Sequence, residues 1–131
     1  MLRTHAEDLS GIVIHCFTGS GLDLSRYLSL DCFIGITGWI CDSRRGVELR
    51  ELIHELPLEK LLIETDAPFL LPGSTPAGWH AQNAPGNSKR RNEPALLGLV
   101  TQRISEELGI EQELVEETSS ANARRLFNLG D

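Results

Sequence analysis

Apolar residues run consecutively at three places along the chain: GIVIH at 11–15, CFIGITG at 32–38 and KLLIETD at 60–66. Short runs rich in Ile, Val, Leu and Phe suit parallel strands covered on both faces, although a short run alone is also compatible with buried helix. Between them the period becomes helical. Leu24, Tyr27 and Leu28 follow a GSG loop at spacing i, i+3, i+4, and Leu49, Leu52, Ile53 and Leu56 extend that pattern to i+7 before Pro57 closes it.

Beyond the third run, residues 67–93 are rich in Pro, Gly, Ser and Asn and lack periodicity. A loop of that length in a compact domain is ordinarily functional or disordered. The spacing predicts that helix resumes with Asn92 or Glu93 as N-cap and Pro94 in the first turn. Leu97, Val100, Ile104 and Leu108 form its apolar face and Gly109 its stop, and a last helix carries Ala123, Leu126 and Phe127. The order strand, helix, strand, helix, strand, long loop, helices implies β-α-β units and a parallel sheet. Barrel and open doubly wound sheet both fit, and in both the chemistry gathers at the carboxyl ends of the strands. No internal repeat or linker divides the chain, so residues 1–131 are expected to form one domain.

Composition narrows the class. With 40% hydrophobic and 24% charged residues the chain reads as soluble and globular. No apolar run approaches the roughly 20 residues of a membrane span, and no signal-peptide pattern opens the chain. Cys16, Cys32 and Cys41 never form CxxC, which suits reduced thiols in a cytoplasmic protein. The net charge of −7 argues against broad, sequence-independent attraction to nucleic acid. Six glutamates crowd residues 105–117 and read as a solvated helical surface.

Candidate chemistry sits where the strands end. His15 closes the first, Thr37 and Trp39 follow the second, and Glu64 and Asp66 close the third, so topology brings them to one rim. A neutral imidazole and a carboxylate are good ligands for Zn²⁺ or Mn²⁺, and the carboxylate also suits Mg²⁺. Taken singly, His15 reads as an ordinary hydrogen-bonded residue and Asp66 as a turn opener. Alternation points Glu64 and Asp66 the same way, which leaves Glu64 needing a partner or a share in the site. Cys16 is expected on the opposite face from His15. Lys89, Arg90 and Arg91 form the one compact basic cluster, suited to phosphate beside a helix start or simply exposed. Trp39 and Trp79 would stack on a base or pack the loops, and His80 is a loop histidine.

The motifs HCFTG at 15–19, GITGW at 35–39, LLIETDAPFLLP at 61–72, RNEPA at 91–95 and SSANARRLF at 119–127, in this order, resemble the C-terminal half of the TatD-family metal-dependent deoxyribonucleases. The likeness runs from about Gly11 onward. It implies a (β/α)₈ barrel of the metallo-dependent hydrolase type, of which this chain would hold about the last three β/α units. It also implies a divalent-metal centre, Mg²⁺ foremost with Zn²⁺ or Mn²⁺ as alternatives, and 3′→5′ exonuclease action on DNA and RNA. On that footing His15 and Asp66 would be metal ligands. Asp66 and Glu64 would be the catalytic carboxylates, with Trp39, Arg91 and Asn92 near the substrate.

The same likeness marks what is missing. The family's first strand carries a His-x-His pair and later strands add a glutamate and a histidine; this sequence contains no His-x-His. A barrel of this kind takes about 250 residues. The chain is therefore expected to be an incomplete enzyme, active when completed by the missing half or by self-association. The alternative is a non-catalytic fragment or interaction module unable to hold a full metal site.

Overall fold

The computed structural model describes residues 2–5, 8–79, 82 and 91–130. Its centre is a parallel sheet of three strands in sequence order: β1 (Val13–Ile14), β2 (Phe33–Ile36) and β3 (Leu61–Ile63). Val13 pairs with Phe33, and Ile34 with Leu61. The ladders continue past the strand bounds: Phe33 N–H donates to Ile12 O at 2.8 Å, Phe17 N–H to Gly35 O at 2.9 Å and Glu64 N–H to Ile36 O at 2.9 Å. All three apolar runs are strands, and every residue of the central one is buried, as coverage on both faces requires.

The helices are α1 (Leu2–His5), α2 (Gly21–Leu28), α3 (Val47–Leu52), α4 (Gly98–Leu108) and α5 (Gln112–Phe127). The GSG loop starts α2 because Ser20 and Asp23 form a reciprocal capping box. A 3-10 turn at Ile53–Glu55 continues α3 to its stop at Pro57. Helix does not resume in one piece after the long loop: Pro94–Leu96 is a separate 3-10 turn with Glu93 as its N-cap, and α4 starts at Gly98. Gly109, at φ 66°, ends α4 in the left-handed conformation that glycine adopts without penalty.

One core joins the layers. Ile34, Ile36 and Leu61 of the sheet pack with Leu24 of α2, Leu49 and Ile53 from the α3 region, Val100 and Ile104 of α4 and Val115 of α5. Helix α5 departs from the predicted face: its buried residues are Val115, Ser119 and Asn122, while Phe127 is 59% exposed. The reason is polar. Asn122 Nδ2 donates to Leu58 O at 2.7 Å and Leu61 O at 2.8 Å, so the helix docks on the start of β3 through an amide. The acidic run behaves as expected, with Glu106, Glu111, Glu113, Glu116 and Glu117 exposed. Among the described residues no helix is long and apolar enough to cross a membrane.

Candidate metal centre

Two of the three strands deliver three side chains to one rim. His15 is the first residue past β1 and Glu64 the first past β3, with β2 between them. Glu64 spans that gap across Gly35, where a Cβ would lie 2.3 Å from Glu64 Oε1 and 2.5 Å from Oε2. The glycine in an otherwise bulky buried strand makes room for the carboxylate.

His15 Nδ1 lies 2.9 Å from Glu64 Oε2, and its Nε2 lies 3.4 Å from Asp66 Oδ1. Glu64 Oε2 also accepts the Cys16 N–H at 2.9 Å. The carboxylate therefore has the partners its depth demands. Its hydrogen bond fixes the imidazole so that Nδ1 faces Glu64 and Nε2 faces Asp66. That bond and the Glu64 charge raise the His15 pKa above the ordinary 6.5; slight burial opposes, and the Asp66 charge adds. The imidazole is 64% exposed and each carboxylate 19%, so the cluster opens outward.

Asp66 reaches the cluster from a turn, since β3 stops at Ile63. It adopts φ 51°, a left-handed conformation that aspartate tolerates better than most residues. Phe69 N–H donates to Asp66 O at 2.7 Å, and Ala67 N–H donates to Thr65 Oγ1 at 3.2 Å. Asn92 holds this turn from behind. Its Nδ2 donates to Thr65 O at 2.6 Å and Leu70 O at 3.3 Å, its Oδ1 accepts Glu93 N–H at 2.8 Å, and its own N–H donates to Pro68 O at 3.0 Å. Asn92 is thus at the rim, but it is 3% exposed and its side chain braces the loop instead of facing outward.

Arg91 is exposed beside Asn92, whereas Lys89, Arg90 and His80 lie outside the described residues. Thr37 is buried, and its Oγ1 accepts Trp39 N–H at 3.4 Å. Cys16 departs from strand alternation. At φ 48° it has left the strand, its N–H meets Glu64 and its Sγ lies 3.7 Å from Thr37 Oγ1, on the site side. Burial raises its pKa, and a protonated thiol is a poor metal ligand.

The donor set fits a divalent cation. His15, Glu64 and Asp66 each offer a ligand atom, and these lie within 4.8 Å of one another. One imidazole nitrogen with carboxylate oxygens is compatible with Mg²⁺, Mn²⁺ or Zn²⁺. Two contributors escaped the sequence reading. Gly35 supplies the space for Glu64, and Arg45 lies 4.8 Å from the Trp39 ring centroid. A glycine inside an apolar strand is a readable signal of close approach; nothing comparable marks Arg45.

The family model described as TatD related DNase matches residues 1–128. The "3'-5' ssDNA/RNA exonuclease TatD" of Klebsiella pneumoniae (strain 342) is 44% identical over 129 residues, covering 98% of this chain and 46% of that protein. The protein of the same name from Escherichia coli (strain K12) is also 44% identical over 129 residues. Among solved structures, the TatD homolog YJJV of Escherichia coli K12 superposes with a TM-score of 0.78 at 27% identity, covering 98% of this chain and 44% of that one. A TatD family hydrolase from Entamoeba histolytica gives a TM-score of 0.71 at 25% identity, covering 87% and 41%. The chain spans about half the length of the curated relatives it matches.

Proposed function

The chain belongs to the TatD related DNase family, and from that premise we propose that it carries the C-terminal share of a metal-dependent 3′→5′ exonuclease for single-stranded DNA or RNA. The observation that carries this reading is the convergence of His15, Glu64 and Asp66 at the strand ends. On this reading His15 Nε2 and Asp66 hold the cation, and Glu64 keeps Nε2 aimed at it through Nδ1. A divalent cation held there, Mg²⁺ by family and Mn²⁺ or Zn²⁺ by donor chemistry, offsets charge on phosphodiester oxygens and acidifies nearby water. Asp66 orients the attacking water and accepts its proton as the water oxygen bonds to phosphorus and the P–O3′ bond breaks, the leaving 3′ oxygen taking a proton from solvent. Arg91 draws the strand toward the rim, and Asn92 fixes the Asp66 turn without touching substrate.

The three β/α units form the last part of a (β/α)₈ barrel on this view, and residues 1–131 act as one domain within it. Residues 1–131 contain no His-x-His pair, so on this view full activity needs metal ligands from outside them. A second reading, an interaction module without activity, is favoured by one observation: among the described residues a single three-residue ligand cluster is present.

The test is divalent-dependent release of mononucleotides from single-stranded DNA and RNA oligonucleotides. The chain is assayed alone and mixed with the N-terminal half of its Klebsiella pneumoniae relative. Activity on mixing, abolished by Asp66→Asn, is expected. Full turnover by Asp66→Asn rejects the assignment, and a mixture that folds together yet never cleaves supports the interaction module.

A further inference from the structure

A pocket of about 320 Å³ is lined by Gly38, Trp39, Asp42, Arg45, Leu70 and Leu71. One wall continues from β2 and the other from the Asp66 turn. Gly38 and Trp39 directly follow Thr37, the first residue past β2, and Leu70 follows the turn that Asp66 O and Phe69 N–H close. The walls touch: a Cβ on Gly38 would lie 2.2 Å from Leu70 O, so only glycine permits this approach.

The Trp39 wall is held rigidly. It belongs to a 3-10 turn, Gly38–Cys41, whose Ile40 and Cys41 are buried. Arg50 Nη1 donates to Ile40 O and Asp42 O, each at 2.9 Å, and so pins the turn from behind. Asp42 Oδ1 accepts Arg44 N–H at 2.9 Å and Arg45 N–H at 2.7 Å, which sets the backbone of Arg45. The Arg45 guanidinium lies over the Trp39 ring at 4.8 Å. The result is a preformed platform of a ring and a guanidinium faced by two leucines, within the size range of small-molecule sites.

We propose that this Trp39–Arg45 pocket is a nucleobase subsite, taking the base of a nucleotide whose phosphate lies at the metal centre. The proposal rests on the phosphodiesterase reading of that centre. A flat aromatic and guanidinium platform with leucine walls suits the face of a base, and such stacking tolerates any sequence. The Asp42 carboxylate on the lining disfavours a phosphate there, while exposed Arg45, also on the lining, attracts the strand's backbone.

Calorimetric titration of the full chain in Mg²⁺ with deoxyadenosine 5′-monophosphate and with 2-deoxyribose 5-phosphate separates base from phosphate. The nucleotide is expected to bind about ten-fold tighter or more. Trp39→Ala should erase the difference and Trp39→Phe should keep most of it. Equal affinities, or a difference that survives Trp39→Ala, overturn the subsite while leaving the metal centre standing. Binding of neither compound, together with no cleavage in the mixing assay above, overturns the phosphodiesterase reading and the subsite with it. Cleavage without any base-dependent binding overturns the subsite alone.

Discussion

Replacing Gly35 by alanine tests how the site is assembled. The new Cβ would lie 2.3, 2.4 and 2.5 Å from the three atoms of the Glu64 carboxylate. Ordinary contact starts near 3.4 Å, so the carboxylate must move by about 1 Å. Its bonds to Cys16 N–H and His15 Nδ1, both 2.9 Å, then exceed hydrogen-bonding reach. The His15 contact is largely solvated and adds little to stability. The part-buried Cys16 bond to a charged acceptor is worth about 1.5–3 kcal/mol. Exchanging a strand glycine for alanine returns about 0.5–1 kcal/mol, and the Gly35 backbone has no positive φ to oppose it. The net expectation for Gly35→Ala is a loss of about 1–2 kcal/mol, read as a urea midpoint lower by roughly 0.5–1 M. In a Glu64→Ala background the clash disappears, and the same substitution should become neutral or stabilising. Urea melts of the wild type, both single variants and the double variant complete the cycle. Equal costs for Gly35→Ala in the two backgrounds would refute the claim that this glycine exists to seat Glu64.

Other consequences are open to measurement. Asn122→Leu keeps the branched shape but removes the amide donor; Leu58 O retains the Leu61 N–H while Leu61 O loses the Asn122 amide, and about 1–3 kcal/mol of stability should be lost in a urea melt. Asn92→Ala should loosen the Asp66 turn, so hydrogen exchange at the Phe69 amide rises well ahead of that in β2. Hydrogen bonds from the Ser20 hydroxyl and N–H hold Asp23 below the ordinary 3.8, and those from the Arg45 and Arg44 N–H groups do the same for Asp42. A depressed folded pKa gives stability that is present above 3.8 and lost as pH falls through the lowered values. The stability gap between wild type and an Asp23→Asn, Asp42→Asn double variant should therefore narrow across that acid window.

Much of this molecule is legible from residue order. The strands show because buried parallel strands are apolar on consecutive positions, and His15, Glu64 and Asp66 meet because parallel topology gathers strand ends. The illegible parts have physical causes. Asn122 and Ser119 face the core of α5 while polar, so a hydrophobic pattern passes over them and selects Phe127 instead. Strand alternation puts Cys16 on the face opposite His15, but alternation holds only while the backbone stays extended, and Cys16 has already turned at φ 48°. The family resemblance puts Asn92 near the substrate, but its amide bonds to the Asp66 turn depend on tertiary placement that no local pattern encodes. The Trp39 platform likewise depends on Arg50 reaching back to a turn that precedes it in the chain.

The central claim is that one divalent cation is held between His15 and Asp66 with Glu64 behind the imidazole. Adding Mn²⁺ to isotope-labelled protein and following paramagnetic broadening locates the ion directly. The account predicts that His15, Glu64 and Asp66 signals vanish first and that Asp66→Asn removes the effect. Broadening that begins instead at the exposed glutamates of α5, or that survives Asp66→Asn unchanged, would contradict it.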